Sequence, residues 1–147
     1  MSHFLVTGAA GFIGSHLAEA LVARGDAVTG IDSFTDYYDR SIKERNIASL
    51  REASGFQLCE RDVLDLSTAD LERIDGVFHF AAQAGVRGSW SRSFDRYLTE
   101  NVLATQHLFE LSARLGIRIV FASSSSVYGN AERLPTSEQE LARPISP

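Results

Sequence analysis

One cysteine and one lysine stand among 147 residues, and each scarcity excludes something. Cys59 has no partner for an internal disulfide, so the chain is not a disulfide-stapled domain. Its apolar surroundings, "FQLC", predict a buried structural thiol. With Lys43 the only lysine and the arginines scattered, the formal net charge is −5 and the pI about 5.3. That balance offers no basic stripe to displace counterions, which excludes a nucleic-acid groove. Long apolar runs are missing as well. None approaches the roughly 18 residues of a membrane span, so no membrane partner is expected. Met1-Ser2-His3 has no basic segment leading into an apolar one, unlike a signal peptide. His3, His16 and His107 share no ligand spacing with Cys or acidic residues, and no metal site is expected. Together these features point to a cytoplasmic protein.

What is present is an ordinary globular mix, 44% apolar and 22% charged. A chain of this length can bury roughly two thirds of its unfolded surface as one domain. Short apolar runs alternate with longer helical patterns. Strands are expected at residues 4–7, 27–32, 56–62, 76–82 and 117–122. A helix is expected over 12–24, with Ile13, Leu17, Ala20 and Leu21 on one face, and a long one over 94–115, closed by Gly116. Strands alternating with helices call for crossover connections and a parallel sheet. Nearly unbroken apolar strands such as "VFHFAA" fit a sheet covered on both faces. The expected fold is therefore doubly wound α/β, with strand order 3-2-1-4-5. His79, inside the fourth strand, reads as a hydrogen-bonded core histidine.

"VTGAAGFIGSHL" sets Gly8, Gly11 and Gly14 at three-residue intervals between the first strand and the first helix. Gly8 suits the tight turn out of the strand, and Gly11 lets the backbone approach a pyrophosphate. Gly14 lets the helix pack on the sheet, while free N–H groups and the helix dipole hold the phosphates. The spacing is G-x-x-G-x-x-G rather than G-x-G-x-x-G, and glycines placed only for packing are the plainer alternative. Asp32 strengthens the dinucleotide reading. It ends the second strand 18 residues after Gly14, where a carboxylate accepts from the adenosine ribose hydroxyls and repels a 2′-phosphate. NAD is thus favoured over NADP, against the alternative of a solvated strand-end acid.

With "TGAAGFIGSHL", "GIDSFTDYYD", "ERDVLD", "HFAAQAGVRGS", "ENVLATQHL" and "FASSSSVYG" in order, the chain resembles the extended short-chain dehydrogenase/reductase family. Its NAD-dependent nucleotide-sugar epimerases and dehydratases, which use a Rossmann fold, are the nearest type. The resemblance covers essentially all 147 residues. It implies that Gly8, Gly11 and Gly14 hold the pyrophosphate, with Phe12 and Ile13 supplying amides. Asp32 would bind the adenosine ribose, beside Ser33, which stands where many relatives have Asn. Asp62 and Val63 would cap the adenine, a capping acid being the plain alternative for Asp62. Ala81, Ala82 and Gln83 would line the cofactor, and Asn101 would tie the long helix to that site unless it is only a packing polar residue. "AAQAGVRGS" and "DSFTDYYD" look most like epimerases acting on UDP-glucuronate, with Arg87 near the sugar nucleotide or free on the surface. Family members commonly dimerise through the long helix, so a homodimer is expected.

The four serines of "FASSSSVYG" are either a polar linker or a row of hydroxyls at a site. Because they follow an apolar strand, a site is expected. In the family, the residue four before the Tyr of "VYG" is a Ser or Thr that hydrogen-bonds the sugar O4, and here it is Ser124. Dehydratases carry an Asp-Glu pair at the next two positions, which are Ser125 and Ser126 in this chain. Neither supplies a carboxyl acid, so an epimerase or simple oxidoreductase is preferred. The family's base is a Tyr with a Lys four residues on. Tyr37, Tyr38, Tyr97 and Tyr128 are followed at that spacing by Ser41, Ile42, Asn101 and Glu132. The chain therefore reads as the N-terminal, NAD-binding part of a longer enzyme, inactive alone and ending before the substrate-binding portion. A non-catalytic NAD-binding module and a nucleotide-free packing domain of the same fold are the competing readings.

Overall fold

The computed structural model describes residues 1–85, 87–90, 94–131 and 133–146, with Arg87 described in its backbone alone. Five strands form one parallel sheet in the order β3-β2-β1-β4-β5. They are β1 His3–Thr7, β2 Ala27–Asp32, β3 Phe56–Glu60, β4 Gly76–His79 and β5 Arg118–Phe121. Between them run α1 Phe12–Ala23, α2 Arg40–Asn46, α3 Ala48–Arg51, α4 Thr68–Leu71, α5 Phe94–Tyr97 and α6 Ala104–Leu115. A π segment, Leu98–Leu103, joins α5 to α6. The doubly wound order expected from the alternation of elements is the order observed.

Successive strand side chains point to opposite faces, and β1 uses both. Leu5 enters one apolar cluster with Ile31, Leu71, Val77, Leu108 and Leu111. Val6 enters the other with Ala18, Leu21, Val28, Ile47 and Leu50. Helices α4 and α6 cover the first face, and α1 to α3 the second. Cys59 is half-buried against the first cluster rather than fully enclosed.

Parallel pairing in this register brings the strands to an end together. Thr7 lies opposite Ile31 and His79, Asp32 opposite Glu60, and His79 opposite Phe121. The loops that leave all five strands therefore emerge along one edge. Gly8, Ser33, Asp62, Ala81 and Ser124, distant in sequence, all lie along that edge.

The long helix and β5 differ from expectation. In the helix, Leu108 and Leu111 are buried, but the equally apolar Leu103 is 51% exposed. Leu103 closes the π segment, whose wider turn shifts the face presented by the residues before α6. β5 is one of the sheet's two edge strands, and Val120 and Phe121 are about half exposed. Its run of apolar residues reports composition, while its burial depends on neighbours that an edge position does not supply.

Candidate functional site

A cleft opens along the carboxyl edge, lined by Gly8, Gly11, Asp32, Ser33, Asp62, Val63, Ala81, Ala82 and Gln83. These nine sequence-expected residues come from four separate strand ends, and the sheet register alone assembles them. Gly14 lies just behind the cleft, in the first turn of α1.

Gly8 turns with φ 67° and packs against the backbone of Phe80 and Ala81, just past the end of β4. A Cβ there would stand 2.8 Å from Ala81 N and from Phe80 C, so no side chain fits. At Gly14 a Cβ would strike the Gly8 carbonyl oxygen. The two glycines thus press the turn, the helix start and β4 together. Gly11 is the N-cap of α1 and provides no side-chain cap bond, and no acid stands in the first turn. The amides of Phe12, Ile13 and Gly14, in the first turn after Gly11, have no intrahelical acceptor, and the Phe12 and Ile13 side chains are exposed. This cradle fits a pyrophosphate: bare backbone donors, a positive helix end and no side chain in the way.

Asp32 is deeply held. Its carboxylate accepts from Ala10 N at 3.1 Å, Phe34 N at 2.9 Å and Lys43 Nζ at 2.7 Å. The Asp32 and Lys43 side chains are only 4% and 8% exposed. Sequence reading passed over Lys43 because it sits 11 residues from Asp32, in α2. The short helix folds back across the end of β2 and brings the ammonium onto the acid. Its Nζ also lies 5.5 Å from the Phe34 ring and 5.6 Å from the Tyr38 ring. Burial first, and then the Asp32 charge, raise the Tyr38 phenol above its ordinary range, so it stays protonated and able to donate.

At the next strand end, Asp62 is exposed and one carboxylate oxygen accepts from Leu64 N at 2.9 Å, capping the 3-10 turn Val63–Asp65. The capping role weighed from sequence is therefore real. Arg61, alongside, also lines the cleft, and its guanidinium is paired with Asp70 at 2.7 Å. Across the cleft Asn101 accepts from Gln83 N at 2.7 Å and donates to Gln83 O at 3.0 Å, joining the helix to the β4 edge. The Gln83 side chain is buried, and its Oε1 meets no hydrogen-bond partner among the described residues. An orphaned acceptor on a cleft wall suits a bound group that donates.

Beneath this wall lies a buried relay. Thr7 Oγ1 accepts from Phe80 N and Ala81 N, each at 3.2 Å, and lies 2.6 Å from His79 Nδ1. With its lone pairs taken, the hydroxyl donates its proton to Nδ1. The other nitrogen, Nε2, then carries the ring proton and donates to Thr105 Oγ1 at 3.0 Å. Burial lowers the His79 pKa to about 4, which keeps the ring neutral. His79 is thus the core histidine expected, and it links α6 to the cleft wall.

The serine row follows β5 at the same edge. Ser124 is exposed, and its Oγ accepts from Ser126 N at 3.1 Å, capping the 3-10 turn Ser125–Tyr128. That bond uses Oγ as an acceptor and leaves its O–H to donate. Ser125 and Ser126 lie inside the turn. Arg87 opens the 3-10 turn Arg87–Ser89, and its side chain lies outside the described residues. Among the described residues no helix is long and apolar enough to cross a membrane.

Residues 4–147 match the model of the NAD dependent epimerase/dehydratase family. UDP-glucuronate 4-epimerase 2 of Arabidopsis thaliana is 44% identical over 142 residues, covering 92% of this chain and 32% of the relative. The crystal structure of UDP-glucuronic acid 4-epimerase from Bacillus cereus, in complex with UDP-glucuronic acid and NAD, superposes with a TM-score of 0.92. It is 41% identical, and the match covers 98% of this chain and 46% of that one. The NAD-dependent NDP-hexosamine 5,6-dehydratase TunA superposes at 0.81, with 34% identity over 99% of this chain and 45% of that one. The chain thus spans less than half the length of these relatives. Sheet order, glycine cradle and a family match over nearly every residue agree: the chain belongs to the NAD dependent epimerase/dehydratase family.

Proposed function

We propose that residues 1–147 form a single NAD-binding domain serving C4 epimerisation of a UDP-sugar, with UDP-glucuronate as the favoured substrate. The observation that carries the reading is the glycine cradle, closed against β4 so tightly that a Cβ at Gly8 would stand 2.8 Å from Ala81 N. The names of the most similar relatives support the sugar. In this reading the amides of Phe12, Ile13 and Gly14 hold the pyrophosphate over Gly8 and Gly11. Asp32 accepts from the adenosine ribose, with Ser33 beside it, and Asp62 and Val63 bound the adenine. Ala81, Ala82 and Gln83 form the opposite wall. Bound NAD would take a hydride from the sugar and return it.

Ser124 donates its hydroxyl proton to the sugar O4, an orienting role, since its Oγ already accepts from Ser126 N. Ser125, Ser126 and Arg87 border the sugar nucleotide. A neutral serine does not remove a proton near pH 7, and that step needs a base tuned toward the working pH. No tyrosine here has a lysine four residues on. The 147-residue chain is therefore expected to bind NAD and turn over no UDP-sugar. A longer chain carrying Tyr-x-x-x-Lys should epimerise, and there Ser124→Ala should abolish most turnover. Calorimetric titration with NAD and a UDP-glucuronate assay test both halves. Epimerisation by the short chain, or no NAD binding, refutes the proposal.

The exposed side chains of Val102 and Phe109 line one shallow groove along the long helix, and Leu98 is exposed one turn before it. They support a homodimer formed through that surface.

A further inference from the structure

Tyr97 ends α5 with its hydroxyl aimed at the segment that leaves β4. It donates to Gly85 O at 2.6 Å, with Ala84 O 3.1 Å away. One turn further, Asn101 holds both polar groups of Gln83, its N–H at 2.7 Å and its carbonyl at 3.0 Å. Residues four apart share a helix face, so a single face grips three successive backbone units. The glycines of the segment make room for the grip. A Cβ at Gly88 would stand 2.7 Å from the Tyr97 hydroxyl, and one at Gly85 would stand 2.8 Å from that of Tyr37. The π segment begins at the residue after Tyr97, and such segments recur where a helix serves a site.

We propose that Tyr97, together with Asn101, is a positioning residue that fixes the backbone of Gln83–Gly85 as the β4-side wall of the cleft. Through that wall it sets affinity for the half of the dinucleotide remote from adenine. The second statement rests on the NAD reading above. Sheet order supplies the direction. Asp62 follows β3 and Gln83 follows β4, three strands apart in the sheet, or about 14 Å at the usual strand spacing. An adenosine held at the β2–β3 end leaves the pyrophosphate and second nucleoside against the β1–β4 end. Tyr97 acts on the ligand through the carbonyls it holds.

Tyr97→Phe keeps the ring and deletes only the hydroxyl. In the 147-residue chain the Gln83 amide keeps its bond to Asn101 but loses the bracing of the Gly85 carbonyl two residues on. It should exchange its hydrogen about fivefold faster, with Leu108 unchanged, as expected when the segment loses one bracing hydrogen bond of about 1 kcal/mol. NAD should bind about tenfold more weakly in the variant, while AMP, which carries only the adenosine end, stays within about twofold. A merely structural loss would lower both affinities alike, and that result overturns the directional role. An unchanged Gln83 exchange rate overturns the grip itself, whether or not NAD binds. If the unmodified chain binds no NAD, the cofactor reading fails, and the exchange measurement still decides the grip.

Discussion

Asp32 and Lys43 form a buried ion pair at the adenosine end of the cleft, which changes what an Asp32 substitution does. Removing one partner of such a pair strands the other charge, at a cost of roughly 3–5 kcal/mol. Asp32→Ser should therefore lower stability in urea by about that amount. The stranded ammonium would then attract a 2′-phosphate, so the same variant should lose its preference for NAD and favour NADP. Calorimetry with both cofactors checks this, and an unchanged preference contradicts it. His79 gives a second residue-scale expectation. Its folded pKa, about 4, lies below the ordinary imidazole value of 6.5. The unfolded chain thus binds more protons between those values. The stability His79 contributes is complete above about pH 6.5 and falls as the pH drops toward 4, by on the order of 3 kcal/mol. The His79 ring resonances should accordingly stay unshifted between pH 8 and pH 5 in a heteronuclear titration, and a midpoint near 6.5 would refute the relay. Asp32 was legible in sequence because a strand-end acid after a glycine turn carries a specific meaning. Lys43 was not, since its contact depends on how a short helix returns over β2, which no spacing rule encodes. The Tyr97 contacts were hidden for the same reason, because they go to backbone groups.

Between residues and the whole sheet, the elements divide into those set by local pattern and those set by surroundings. The five strands and the extent of α1 follow from apolar runs punctuated by glycines, and the observed ends lie within a few residues of those expected. Helix α1 nevertheless buries Gly14, Ser15, Ala18 and Leu21, and Ile13 and Ala20 of the expected face are exposed. The π segment does not follow, because its hydrogen-bond shift arises where the helix is held to the β4 edge, and side-chain periodicity carries no trace of that. The distinction has a measurable consequence in two leucines five residues apart. Leu108 is fully buried, and Leu108→Ala should destabilise by about 2–5 kcal/mol in urea unfolding. Leu103→Ala, at a half-exposed position, should stay within about 0.5 kcal/mol of the unmodified chain. Equal losses would mean that Leu103 is as enclosed as Leu108. The edge position of β5 was likewise illegible from its own residues, since Val120 and Phe121 are as apolar as any core pair.

At the scale of the molecule, strand order is the feature most completely written in the sequence, because alternating elements and parallel crossovers leave few arrangements open. That order also placed most of the expected cleft residues on one edge without further information. The outward face of the long helix bears on assembly. If Leu98, Val102 and Phe109 join two copies, light scattering should show mass rising with concentration, and Val102→Glu should reduce the rise. A monomer at every concentration counts against association. The two-sided use of β1 reaches further than packing. Leu5 and Val6 belong to different clusters, so the strand's placement is subject to a parity rule. Sliding β1 by one residue would exchange the faces of both side chains at once, and it would carry Gly8 off its contact with Phe80 and Ala81. No intermediate placement satisfies either cluster. The ångström-level fit of the phosphate cradle is thus inherited from an even-or-odd choice made by two adjacent apolar residues.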